Sequence, residues 1–313
     1  MLTVPPCDEL LIADIAADLG IDPTQLARGP VSGLLERDVT SWSIIAADAV
    51  FAGGIVSRSA GVICGLAVAR RAFELVADGA GMAGAVTFTQ TCDDGTAVHP
   101  GMTVATVTGP ARVVLAAERT ALDMLMVLSG IASEAARWQA AAGPVLQVLD
   151  TRKTLPGLRA LSKYAVACGG AHNHRAGLWD MVLVKDNHIR AAGGIDAAVH
   201  AARAVHPELV VEVEADTIAQ ALQAAVAGAD VVLLDNMDDD LLRQAVTAVR
   251  SAAQKTGARC LTEASGNITY ARLARLAATG VDRVSASAIT LARGLDLGLD
   301  ELAASSVRPD VVR

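Results

Sequence analysis

The sequence predicts an α/β fold, a parallel sheet closed into a barrel behind a smaller α+β domain. Three observations predict it. From Pro144 onward, short β-branched runs alternate with Ala- and Leu-rich stretches of helical length, the pattern of repeated strand–helix units. Five of those runs end in charge, at Asp150, Lys185, Glu214, Asp235 and Glu263. The part before about residue 110 reads differently and carries strand runs of its own.

In chain order, a helix is expected near 8–19, then strands over 46–56, 62–69, 86–92 and 103–108, with Asp94-Gly95 marking a hairpin turn. A long helical stretch over 111–141, interrupted at Ser129-Gly130, links the two parts. Strands are then expected at 145–150, 181–185, 209–214, 230–235, 259–263 and 283–286. Helices fill the intervals at 158–168, 195–205, 217–227, 239–254 and 268–278. The expected division is an N-terminal domain over 1–115, a catalytic barrel over 116–300 and a tail over 301–313. Charge position favours closure. A barrel gathers its strand ends around one mouth, whereas an open sheet spreads them along a ridge and binds at one switch point.

Composition narrows the classes. The longest apolar run, 60–69, is far short of the roughly 18–20 residues of a spanning helix. Asp8, Glu9, Asp14 and Asp18 with no basic segment argue against a secretory signal. Five scattered cysteines without a CxxC pair read as reduced thiols, so a cytoplasmic protein is expected. Aromatics are 3% of the chain, which disfavours base-stacking platforms and a nucleic-acid partner.

Against a formal charge of −8, the stretch from Thr151 to Arg190 holds seven Lys or Arg and two acids. A local cationic cluster in an acidic chain suits a small, highly charged anion. Taken singly, Arg152, Lys153, Arg175 and Lys185 read as solvated loop charge. At successive strand ends they read as a pocket. Asp235 and Glu214 taken alone read as helix caps, and Ser265-Gly266-Asn267 as a common cap.

Several segments together resemble the quinolinate phosphoribosyltransferase family. They are Glu118-Arg119-Thr120-Ala121-Leu122, Leu128-Ser129-Gly130-Ile131-Ala132, Asp150-Thr151-Arg152-Lys153-Thr154-Leu155-Pro156-Gly157, Asn173-His174-Arg175-Ala176-Gly177-Leu178 and Lys185-Asp186-Asn187-His188. Glu212-Val213-Glu214, Leu234-Asp235-Asn236-Met237 and Glu263-Ala264-Ser265-Gly266 extend the likeness, which covers about residues 45 to 300 in the family's order. The resemblance implies an incomplete, TIM-like α/β barrel with an N-terminal α+β sandwich domain. It implies transfer of phosphoribose from phosphoribosyl pyrophosphate to quinolinate with decarboxylation, using Mg2+, by a homodimer with interface active sites. Assembly beyond the dimer is left open, and no membrane attachment is expected.

On that resemblance, Arg119, Thr151, Arg152, Lys153, His174, Arg175 and Lys185 bind the acceptor, with Arg58 assisting and Arg119 reaching in from a partner subunit. Guanidinium forks match adjacent carboxylates bidentately and lysine supplies point charge. Lys153, Lys185, Glu214 and Asp235 are the catalytic set. The two carboxylates would face the charge that develops on the ribose and meet Mg2+ through water, without being firm metal ligands. Phosphate would lie on Ser265, Gly266 and Asn267 at a helix start and on Ala286, Ser287 and Ala288 after the last strand. His172 and His188 read as structural. No Ser–His or Cys–His arrangement suggests covalent catalysis.

The sequence departs from the family's usual pattern in places. Arg37-Asp38-Val39-Thr40-Ser41 lacks a glycine, Asp123 replaces an asparagine, and the second phosphate loop has Ser287 and Thr290-Leu291 in place of Gly and Thr-His. Two other readings stand beside the first. One is a related phosphoribosyltransferase for another carboxylated acceptor, of the kind associated with molybdate transport; retention of all four cations disfavours it. The other is a non-catalytic anion- or nucleic-acid-binding protein, which the net acidity disfavours.

Overall fold

The computed structural model describes residues 2–257 and 259–301; of the expected tail, everything after Glu301 lies outside them. The strands are β1 (Val50–Ser57), β2 (Gly61–Val62), β3 (Thr87–Gln90), β4 (Ala97–Val98), β5 (Thr103–Pro110), β6 (Gln147–Leu149), β7 (Val182–Val184), β8 (Val211–Ala215), β9 (Val231–Asp235), β10 (Leu261–Ser265), β11 (Arg283–Ser285) and β12 (Leu297–Glu301). Two compact units form. One runs to Ser133 and resumes at Ala292; the other is Glu134–Leu291.

The first unit is built on an antiparallel sheet of order β12-β1-β5-β3, with a separate β2-β4 pair. Three local expectations fail here for physical reasons. Only Gly61–Val62 of the run 62–69 is strand, and from Leu66 to Gly79 the chain is helical. The window 62–69 carries no charge and shows no period by itself; helical spacing emerges beyond it, where Arg70, Arg71, Glu74 and Asp78 recur on the less buried side and Leu66, Val68, Ala69, Ala72, Phe73 and Val76 are buried. Asp94-Gly95 does turn the chain, with Thr96 N–H donating to Asp93 O at 3.1 Å, but β3 pairs with β5 and β4 with β2, so it closes no hairpin.

Ser129-Gly130 does not interrupt the long helix, which runs unbroken over Ala111–Ala142. A Cβ on Gly130 would lie 2.2 Å from Arg293 O, so this glycine permits a close backbone approach. Ser129 Oγ accepts the Cys64 N–H at 2.9 Å. The expected boundary at 115/116 falls inside this helix. Nor was β12 foreseen; it brings the chain back to pair with β1 from Gly53↔Glu301 to Ser57↔Leu297.

The second unit is a six-stranded parallel sheet of order β6-β11-β10-β9-β8-β7. Read around the ring, each strand from β7 to β11 pairs with its successor and β11 returns to β6. Only β6 and β7 lack mutual pairing, so this is a barrel with one open seam. In the seam, His172 makes a single parallel bridge to Leu149. Helices Ile195–Val205, Ile218–Ala227 and Asp239–Thr256 cover the outside. The second is closed by a Thr217–Gln220 capping box at its start and left-handed Gly228 at its end. Val213, Val232, Leu234, Ala264 and Val284 are fully or almost fully buried, each such side chain stabilising by about 1.5–3 kcal/mol at most for the larger ones.

Two barrel expectations are corrected. The strand expected to end at Glu263 continues to Ser265, which leaves Glu263 in mid-strand and wholly buried. The helix expected over 268–278 is a 3-10 turn at Tyr270–Arg272 followed by the five-residue helix Leu273–Ala277. Ser265-Gly266-Asn267 therefore does not open onto a helix N-terminus. Among the described residues, no helix is long and apolar enough to cross a membrane.

Candidate active site

Parallel register with a period of two sends alternate residues of each strand to the same face. Glu212 pairs with Leu183, and Leu233 with Glu214 and Glu263. At the ends of these strands lies a cavity of about 200 Å3, lined by Thr151, Arg152, Lys153, His174, Arg175, Leu183, Lys185, Leu233, Ser265 and Ser285. Four cations from three separate chain segments thus share one small space. Arg152 Nε is buried with no hydrogen-bond partner. Burial, and next the neighbouring Arg152, hold Arg175 below the usual guanidinium range. Such a cluster is relieved by an incoming anion.

The loop carrying these cations is anchored from beneath. Asp150 and Lys163 are both buried and paired at 2.6 Å. Lys163 Nζ also donates to His174 O (2.8 Å), and the His174 N–H donates to Asp150 Oδ1 (2.8 Å). With its amide nitrogen turned toward Asp150, Asn173 donates to Asp150 Oδ2 at 2.7 Å. Burial, opposed by Lys163, raises the Asp150 pKa. Lys163, one of the seven cations of the cluster, is therefore an internal strut. Thr290, at the departure in the second phosphate loop, donates its hydroxyl to Lys153 O at 2.8 Å.

His174 lines the cavity, but its ring nitrogens are engaged within the protein. Nδ1 accepts the Arg175 N–H at 2.8 Å, while Nε2 lies 3.0 Å from Glu212 Oε2 and 3.5 Å from Glu263 Oε1. Burial works to lower the His174 pKa, and the two glutamates outweigh it, so the net shift is upward. Glu212 and Glu263 are fully buried. Burial, then repulsion from Glu212, pushes Glu263 up to about 7.

At the rim, Lys185 Nζ is ion-paired with Glu214. His188 Nδ1 accepts the Lys185 N–H at 3.0 Å, a structural role. Asp235 ends β9 and accepts the Asn236 amide at 2.6 Å. Glu214 and Asp235 sit on adjacent strands and offer hard oxygen donors, the donor type Mg2+ takes. Asn236, Gly266 and Asn267 all have positive φ (54°, 81°, 49°) and the Asn267 amide donates to Asn236 Oδ1 at 2.9 Å, which knits the β9 and β10 loops. Ala286 is buried, and Ser287 and Ala288 form the 3-10 turn Ser287–Ile289 after β11. Arg119 and Arg58 do not line this cavity. Arg119 is 60% exposed and paired with Asp123 one helical turn on, and Arg58 is half exposed and paired with Asp300.

Residues 38–129 match the family description "Quinolinate phosphoribosyl transferase, N-terminal domain", and residues 131–300 match its C-terminal counterpart. The chain belongs to the quinolinate phosphoribosyl transferase family. A probable nicotinate-nucleotide pyrophosphorylase (carboxylating) of Synechocystis is 42% identical over 247 residues, covering 78% of this chain and 80% of the relative. The corresponding human enzyme is 42% identical over 221 residues, covering 69% and 73%. The crystal structure of NadC from Streptococcus pyogenes superposes with a TM-score of 0.81 at 34% identity, covering 97% of this chain and all of that one. The incomplete barrel with a separate N-terminal sheet is the quinolinate phosphoribosyl transferase fold.

Sequence reasoning named every charged residue of this cavity but passed over Glu212 and Glu263 as chemistry. The spacing of Glu212 and Glu214 in Glu-Val-Glu carried the signal, because period two puts both on the interior face.

Proposed function

We propose that the protein transfers phosphoribose from phosphoribosyl pyrophosphate to quinolinate and releases CO2, giving nicotinate mononucleotide and pyrophosphate. The carrying observation is the convergence of Arg152, Lys153, Arg175 and Lys185 on one cavity of about 200 Å3, sized for a single small ring with two carboxylates. Quinolinate is such a dianion, and family membership agrees with the choice. Glu214 and Asp235 face the ribose side, where positive charge develops as pyrophosphate departs, and stabilise it. Lys185, paired with Glu214 at rest, is released to the acceptor carboxylates when the pocket fills.

Mg2+, when bound with phosphoribosyl pyrophosphate, would neutralise phosphate charge, held through water by Glu214 and Asp235. Ser265, Gly266, Asn267 and, after β11, Ser287 and Ala288 receive the phosphate by backbone N–H groups of loops, not by a helix N-terminus, while the Ala286 N–H is held by Leu149 O at 3.1 Å. The exposure of Arg119 supports its use by a second copy of the chain in a homodimer. Once the ring nitrogen is ribosylated, the cationic ring stabilises the carbanion left by the departing carboxylate, so decarboxylation needs orientation and no separate group.

The test is release of CO2 and nicotinate mononucleotide from purified protein with quinolinate, phosphoribosyl pyrophosphate and Mg2+, beside a nicotinate-only control. Turnover that falls at least a hundredfold in Arg152→Ala supports the reading. Binding of phosphoribosyl pyrophosphate without turnover of quinolinate overturns it in favour of another acceptor.

A further inference from the structure

The cluster formed by His174, Glu212 and Glu263 is the unexplained chemistry beneath the cavity. Its three donor atoms lie within 4.8 Å of one another, and no carboxylate oxygen of either glutamate has a well-directed hydrogen-bond partner. His with two carboxylates is a donor set for a metal ion. The histidine argues against one. A neutral imidazole that ligates through Nε2 carries its proton on Nδ1, where it donates. Here the Arg175 N–H points at Nδ1 from 2.8 Å, so Nδ1 is an acceptor and the proton belongs on Nε2, toward Glu212.

We propose that Glu212, backed by Glu263, is a positioning residue that locks His174 in its Nε2–H form and through His174 aims Arg175 at the acceptor carboxylates. The inference rests on the acceptor reading given above. The chain of contacts is continuous. Glu212 Oε2 lies 3.0 Å from Nε2, Nδ1 accepts the Arg175 N–H, and the His174 backbone is clamped by Asp150 on one side and Lys163 on the other. The Arg175 backbone is thereby fixed at the point where its side chain enters the cavity. Two unshielded carboxylates this close hold a single charge, because like charges in one buried site do not both ionise. Glu263 has His174 and Glu212 as near charged neighbours, with Arg283 and the Ser285 hydroxyl from β11. Glu212 is the nearer of the two to His174 Nε2, at 3.0 Å against 3.5 Å.

The experiment uses the full chain with 15N-labelled histidine. The expected result is an Nε2–H tautomer for the neutral His174 at pH 9, assigned by the loss of its signal in His174→Gln. An Nδ1–H tautomer or an imidazolium at that pH overturns the proposal whether or not the protein turns over quinolinate. The second measurement is the KM for quinolinate, or its dissociation constant by calorimetry if turnover is absent. It is expected to rise at least tenfold in Glu212→Gln and two- to threefold in Glu263→Gln, with kcat falling less than threefold in both. Equal effects of the two substitutions, following loss of melting temperature alone, make the pair merely structural and overturn it. Should Glu212→Gln fail to fold, the wild-type tautomer decides.

Discussion

Replacing Lys163 with Met removes one partner of a buried ion pair and leaves the other in place. Asp150 is fully buried and accepts from Lys163 at 2.6 Å and from the His174 N–H at 2.8 Å. Breaking such a pair costs about 3–5 kcal/mol, because the remaining charge stays buried without compensation. For a chain of this size, 1 kcal/mol moves the melting temperature by about 2–4 °C, so a fall of about 6–20 °C is expected. The loss has a pH signature. Burial already lifts Asp150 above its ordinary value against the pull of Lys163. Without Lys163 the folded-state pKa rises further above the unfolded one, so the folded protein binds the extra proton. Stability then falls as pH rises through that window, and Lys163→Met is expected to regain stability on going from pH 8 to pH 5. Thermal and urea unfolding across that range provide the assay. The double variant Asp150→Asn with Lys163→Met, which leaves no lone charge, is expected to lose less than Lys163→Met alone. A single-variant loss under about 1 kcal/mol, or a double-variant loss equal to the sum of the singles, refutes the reasoning.

Further outcomes are expected. Glu263 has a folded-state pKa pushed up to about 7 by burial and by Glu212; its contribution to stability is most favourable when protonated and is lost as pH rises from the ordinary carboxyl range through about 7. Glu263→Gln should therefore flatten that part of the urea-unfolding profile; an unchanged slope counts against it. Gly266→Ala places a Cβ 2.2 Å from Asn236 Oδ1 at a φ of +81°, so it should raise the KM for phosphoribosyl pyrophosphate more than tenfold and that for quinolinate far less; a reversed order removes the β10 loop from phosphate binding. Gly130→Ala meets Arg293 O and is expected to cost about 1–3 kcal/mol in thermal unfolding with KM values unchanged.

The barrel was legible because its strands alternate with helices and end in charge, and both patterns follow from parallel topology. Lys185, Glu214 and Asp235 stand at or beside strand ends, where the pattern put them. Legibility failed where a short uncharged apolar run hid the period, as over 62–69, and where a partner far along the chain decided the local state. Gly130 reads as a helix breaker until Arg293 is known to lie against it, and Leu297–Glu301, spanning the expected end of the barrel and start of the tail, is a strand only because β1 is there to pair with it. Within the site, residue types were readable and their partners were not. Lys163 looks like one more pocket cation, yet it points into Asp150, and His174 looks like a substrate ligand, yet both its nitrogens meet protein. Glu263 reads as a strand end because charge in an apolar run is ordinarily found there.

Because β6 and β7 do not pair, the cation-bearing stretch between them is tied to the sheet by side chains and not by a strand ladder. The bridge from Leu149 to His172, the strut of Lys163 on Asp150 and the reach of His174 to Glu212 and Glu263 are what hold it. Recognition in this barrel thus hangs on a few side-chain anchors. The lettering of the seam can change to suit a differently shaped acid while the register of the five remaining strand pairs stays as it is.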